Sequence, residues 1–114
     1  MMVNVVAVNP TTSGNLRISA ANTTANGGIV NFGPGWNGAG TNSNAVPVAL
    51  SGGKVDVFVN APGGSQATHV RLVVLGYYVP RSATATGLTP VTPCAIFDTR
   101  FSTTNPYGLP LIHI

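Results

Sequence analysis

The chain has 114 residues and a formal charge of +3, the length of one domain, yet only 6% of it is charged, against about a quarter in an ordinary soluble domain. A 44% hydrophobic content excludes a disordered polar tail, and the absence of Glu and near-absence of Lys exclude a helical bundle or coiled coil. The five basic residues (Arg17, Lys54, Arg71, Arg81, Arg100) are scattered, not clustered as phosphate binding requires, and no apolar run approaches the ~20 residues of a membrane-spanning helix.

In chain order, Val3, Val5 and Val8 alternate with Asn4, Ala7 and Asn9, the period of a strand. Residues 9–15 are a dense turn cluster. Leu16, Ile18 and Ala20 then alternate with Arg17 and Ser19, which predicts a hairpin between the two runs. Residues 22–28 read as a polar loop and 28–32 as a short strand carrying Ile29 and Val30. The stretch 33–40 holds Trp36 among four glycines, too many for regular structure. Residues 43–50 alternate again, but Pro47 has no N–H, so this strand is an edge or carries a bulge. Ser51-Gly52-Gly53-Lys54 has the composition of a hairpin turn. Val55, Val57 and Val59 alternate with Asp56, Phe58 and Asn60, and 61–65 is the next turn. Residues 67–79 give the longest strand signal, with Val70, Leu72 and Val74 on one face and Gly76-Tyr77-Tyr78 at its end. Small and polar residues fill 81–87. Residues 88–100 hold Val91 and a short strand at 94–98, and the apolar tail ends in Leu111-Ile112-His113-Ile114.

About seven strands at 8–12-residue spacing, rich in β-branched residues, predict an all-β fold. The expected form is an antiparallel β-sandwich, immunoglobulin-like or jelly-roll-like, that a strand from a neighbouring subunit can complete. The organisation read from composition is a sandwich body over 1–80, a linker at 81–87, and a C-terminal strand and tail, 88–114, able to act as a donor strand. Val5, Leu16, Ile18, Val57, Val59, Val70, Leu72, Val74 and Ile96 are the expected core.

Three segments carry a resemblance. They are Val3-Asn4-Val5-Val6-Ala7-Val8-Asn9-Pro10-Thr11-Thr12-Ser13-Gly14-Asn15-Leu16, then Asn44-Ala45-Val46-Pro47-Val48 through Gly52-Gly53-Lys54-Val55 to Leu75-Gly76-Tyr77-Tyr78, and Thr92-Pro93-Cys94-Ala95-Ile96-Phe97-Asp98-Thr99-Arg100. Together they resemble a β-rich domain repeated in large secreted and surface proteins of bacteria. That domain carries a TPCR-x-x-DTR strand, an NVTVxNPTxxGxL hairpin and a closing GYF strand. The likeness spans roughly residues 3–100. It implies a secreted adhesive or structural module and supplies no catalytic residues. Two features depart from it: Ala95 stands where the family has Arg, and the TPC…DTR strand, which opens the family's domain, here follows Gly76-Tyr77-Tyr78. The chain thus looks like the back of one unit joined to the front strand of the next.

Few groups are available for chemistry. Cys94 as a nucleophile would need a base, and His69 and His113 sit in no recognisable motif; a buried, unreactive thiol flanked by Ala95, Ile96 and Phe97 is the expectation. Two His, two Asp and one Cys spread along the chain lack the paired spacing of a metal site. Asp98 and Arg100 suit a structural ion pair, and Asp56 opposite Arg71 is a second expected cross-strand pair. The glycines at 33–40 precede no Lys and no helix start, so they form no phosphate loop. Trp36 with Tyr77, Tyr78 and Tyr107 could stack a sugar or cap the sandwich.

The chain is therefore expected to be non-enzymatic, with no cofactor: a secreted bacterial structural protein, at the cell surface or beyond it. Copies would self-assemble head to tail into a filament by donor-strand complementation. Val91, Cys94, Ile96, Phe97, Tyr107, Leu109 and Leu111 are the candidate assembly residues. The partner is a second copy, with no nucleic acid and no membrane span. The alternative is a glycan-binding or adhesive module acting through Trp36, Tyr77 and Tyr78.

Overall fold

A computed structural model describes residues 1–23, 29–35, 40–78 and 87–100. The molecule is all-β, with seven strands among the described residues: β1 (Met2–Val8), β2 (Gly14–Ala20), β3 (Val30–Phe32), β4 (Asn42–Pro47), β5 (Val55–Asn60), β6 (His69–Tyr78) and β7 (Leu88–Asp98). A single 3-10 turn, Gly64–Gln66, precedes β6. Two antiparallel sheets result, one of four strands in the order β4-β1-β6-β7 and one of three in the order β3-β2-β5. Among the described residues no helix is long and apolar enough to cross a membrane.

The period-two pattern sets which face of each strand is buried. Val3, Val5 and Ala7 of β1 and Val70 and Leu72 of β6 face Leu16 and Ile18 of β2, Val30 and Phe32 of β3, and Val55 and Val57 of β5 in one core. Apolar faces packed at the usual ~10 Å sheet separation account for the fold. Phe32, Leu16, Leu72, Val3 and Val5 are fully buried. Of the expected core, Val59 and Ile96 are half-buried against this cluster, and Val74 is also half-buried.

The expected β1–β2 hairpin is corrected. The two strands belong to different sheets, and β1 pairs instead with β4 and β6. The intervening turn is fixed to the β5–β6 connection: Thr11 N donates to Ala67 O at 2.8 Å, and the Thr12 hydroxyl donates to Pro62 O at 3.1 Å. Two runs that each bury one face can share a sheet or oppose one another, and the alternation is the same in both cases. Residues 51–54 likewise turn tightly, Ser51 and Lys54 exchanging two backbone hydrogen bonds, but they connect β4 and β5 across the layers. The expected Asp56–Arg71 pair fails for the same reason. Asp56 lies opposite Ser19 in the three-stranded sheet and accepts from Asn22 N at 2.8 Å, whereas Arg71 lies opposite Asp98 in the other.

Pro47 does end an edge strand, β4. Two glycines of the recognised segments are there for space. A Cβ on Gly14 would stand 2.5 Å from the Ala61 Cβ and 2.6 Å from Asn60 O. One on Gly76 would stand 2.7 Å from Thr89 O and 3.2 Å from the Pro90 Cα, where β7 crosses β6.

Candidate assembly surface

The DTR end of β7 is a clasp on β6. Thr99 N donates to Val70 O at 2.9 Å, and Val70 N returns the bond to the Thr99 hydroxyl oxygen at 2.8 Å. His69 Nδ1 lies 3.3 Å from the same hydroxyl. Arg100 grips Asp98 through Nε at 2.9 and 3.2 Å and through its terminal nitrogen, and its backbone N–H adds a fourth bond to the carboxylate. These bonds, with Arg71 nearby, hold the Asp98 carboxyl below its ordinary range, because a hydrogen-bonded carboxylate is favoured in its charged form. The expected ion pair is present, between residues two apart in one turn.

Cys94 is a correction. It is exposed rather than buried. Its register places it beside Val74, which in turn lies beside the fully buried Val3, so it shares the inner face of the sheet. No described strand lies over it. Flanking residues in a strand point to the opposite face, so Ala95 could never shield it. His69, the one histidine among the described residues, sits five positions along β6 from Val74, roughly 16 Å at strand rise, and lies against Thr99 instead. The described residues contain no cluster of His, Cys, Asp and Glu able to hold a metal.

Of the other candidate residues, Ile96 and Phe97 are half-buried and pack against the core from β7, and Val91 is half-buried. Ile96 is the extra residue of a bulge, since Leu72 and Val73 of β6 oppose Phe97 and Ala95. A wider irregularity sets Val91, Thr92 and Pro93 against Leu75 alone. Tyr77 and Tyr78 are 47% and 49% exposed. As neighbours in one strand they project to opposite faces, so no single flat platform carries both. Trp36, Tyr107, Leu109 and Leu111 lie outside the described residues, as do linker residues 81–86.

The sheet edges differ, and no sequence pattern signals it. On one side, the Asn42 amide donates to Asn31 O at 2.7 Å and the Asn44 amide to Ile29 O at 3.1 Å. Side chains of edge strand β4 thereby satisfy carbonyls of edge strand β3 and close the sandwich. On the other side, β5 ends the three-stranded sheet and β7 ends the four-stranded one, with no such bridge among the described residues. β7 contains Pro90 and Pro93, and its pairing with β6 has two register breaks; prolines and bulges are devices that blunt an edge against pairing. β5 has neither proline nor bulge. The fold defines an antiparallel β-sandwich that, among the described residues, is bridged on one side and not on the other. No protein-family model, curated protein or solved structure matches the chain.

Proposed function

We propose that this protein is a non-enzymatic structural subunit of an extracellular bacterial assembly, a filament or surface layer, whose copies join head to tail by β-strand addition. The observation that carries the reading is the open side: among the described residues β5 pairs on one edge only, and Cys94, on the inner face of the opposite sheet, is exposed. An unpaired edge offers main-chain hydrogen bonds, and an adjoining apolar face offers pockets for alternate side chains. The composition supports it too. Only seven residues of the chain are charged, and charge is the usual deterrent to edge-to-edge association. The likeness of the three segments to repeated domains of bacterial surface proteins points the same way. A head-to-tail contact propagates unless its rotation closes a ring.

Sedimentation velocity and negative-stain imaging of the full chain over a concentration series test this. Polymers that lengthen with concentration are expected. A single monomeric species throughout, retained on polysaccharide beads, overturns the reading in favour of a glycan-binding module.

A further inference from the structure

The two sheets turn opposite chemistry outward. In the three-stranded sheet, β2 runs between β3 and β5, and its outward residues are Asn15, Arg17 and Ser19, alternating with buried Leu16 and Ile18. The row through Asn15 is asparagine on all three strands, with Asn31 and Asn60 beside it. Phe58 lies beneath the Arg17 guanidinium, 5.9 Å from its ring centroid. That is the polar-out pattern of a sheet with one face in water. The middle strands of the four-stranded sheet, β1 and β6, instead hold Val5-Val6-Ala7-Val8 and Leu72-Val73-Val74-Leu75. Unbroken apolar runs are the mark of strands covered on both faces.

Val6 and Val73 alternate with the core residues Val5, Ala7 and Leu72, so they face outward. Val73 shares its row with Ala95 on one side and with Asn4 and then Ala45 on the other. The next row runs Pro47-Met2-Gly76-Pro90, and Leu88 leans over it, its Cδ1 3.1 Å from where a Cβ on Gly76 would stand. Met2, Val6 and Val73 are half-buried, as are Asn15, Arg17 and Ser19 on the polar face, and Ala45, Pro47 and Pro90 are exposed. The four strands carry two charges, Arg71 and Asp98, opposite each other at one end of the face. Four strands at ~4.8 Å and about six residues at ~3.3 Å make this face roughly 20 Å on a side, about 400 Å². Exposed apolar patches of that size are commonly contact surfaces.

We infer that the outer face of the four-stranded sheet is a self-association surface on which two copies pack sheet to sheet about a two-fold axis. An isologous contact needs a self-complementary patch, and this one is flat, apolar and neutral. Short side chains fill the row through Val73, which lets two such sheets approach to the ~10 Å of sandwich layers. The two charges of the face cancel, so copies do not repel, and a strongly charged partner finds no excess of opposite charge. Two copies cover about twice the area of one face, the range of a weak, reversible contact. The contact goes beyond strand addition and does not depend on it. β5 belongs to the other sheet, so both contacts can be made at once: strand addition lengthens a filament, and the outer faces pair filaments side by side.

Sedimentation velocity and negative-stain widths are compared for the wild-type chain, Val73→Lys, Ala45→Lys and, on the polar face, Asn31→Lys. Urea unfolding checks that each is folded; Ala45 is exposed on an edge strand, so its variant decides the matter if Val73→Lys is not. The wild type and Asn31→Lys should give filaments paired side by side. Both other lysines set like charges against each other across the two-fold contact, and should raise the concentration needed for pairing about tenfold, leaving single filaments of half the width. Pairing unchanged by either lysine, or single filaments in the wild type, overturns this inference and leaves strand addition standing. Discrete dimers that the lysines dissociate, without filaments, uphold it and remove strand addition. Monomers at every concentration overturn both.

Discussion

The two sides of the sandwich solve the same problem differently. Where β3 meets β4, two asparagine side chains stand in for a missing backbone partner and tie the layers together. Where β5 approaches β7, no described group does so, and Cys94 of the inner face reaches solvent. The difference teaches that a sandwich is closed by whatever satisfies its edge carbonyls, and that core packing alone leaves an edge free to recruit a strand. β7 carries two prolines and two register breaks, whereas β5 carries none, so the proposed strand addition would use β5.

The largest test of this contrast compares one phenylalanine from each side. Phe32→Ala on the closed side removes a ring with 0% exposure and should cost about 3–5 kcal/mol in urea unfolding. Phe97→Ala on the open side removes a half-buried ring and should cost about half as much in the unassembled chain. Equal losses would mean that β7 is covered after all. Next in size, Gly76→Ala should destabilise by about 1–3 kcal/mol, because the new methyl meets the β7 backbone. Its signature is β7 loosened from β6, seen as faster amide exchange at Val73 and Val74 with β2 unaffected.

Asn42→Ala and Asn44→Ala should each cost about 1 kcal/mol and open the closed side. The double variant should lose more protection at β3 than at β5 in hydrogen exchange; uniform loss would show that the amides do not set the asymmetry. The smallest effect concerns Asp98. Its folded-state pKa is lowered, so its contribution is fully present above the ordinary aspartate value of about 3.9 and fades as pH falls through the lower folded value. Asp98→Asn should flatten the acid limb of the stability curve and leave neutral stability little changed, since Arg100 is exposed. A steep acid limb surviving in that variant would place the titrating group elsewhere.

Much of the fold was legible in the residues, and what was missed has a common cause. Alternation marked β5 end to end and identified the buried faces of β1, β2 and β6. Pro47 marked an edge. Alternation states which face is apolar but not which strand lies alongside, and so β1–β2 and Asp56–Arg71 were paired wrongly. The misreading of Cys94 is the same error in the third dimension. Its flanking apolar residues say nothing about cover, which depends on how many strands the opposite sheet has. Within the candidate surface, Ile96 and Phe97 were recognisable as packing residues. The asparagine bridges were not, because Asn42 and Asn44 look like any other polar residues of an uncharged chain.

The crossings between layers also bear on time. Apart from the β2–β3 and β6–β7 pairs, neighbours in each sheet are distant in sequence: Val5 lies beside Leu72, Leu16 beside Val59, and Met2 beside Pro47. Each such pairing must close a long loop before it gains a contact, which puts refolding in the millisecond-to-second range typical of all-β domains. The β6–β7 hairpin, closed locally, can form in microseconds. The strand bearing the clasp can therefore pair before β1 and β5 complete the core, and a refolding chain would present that hairpin, with its apolar inner face, for most of its folding time.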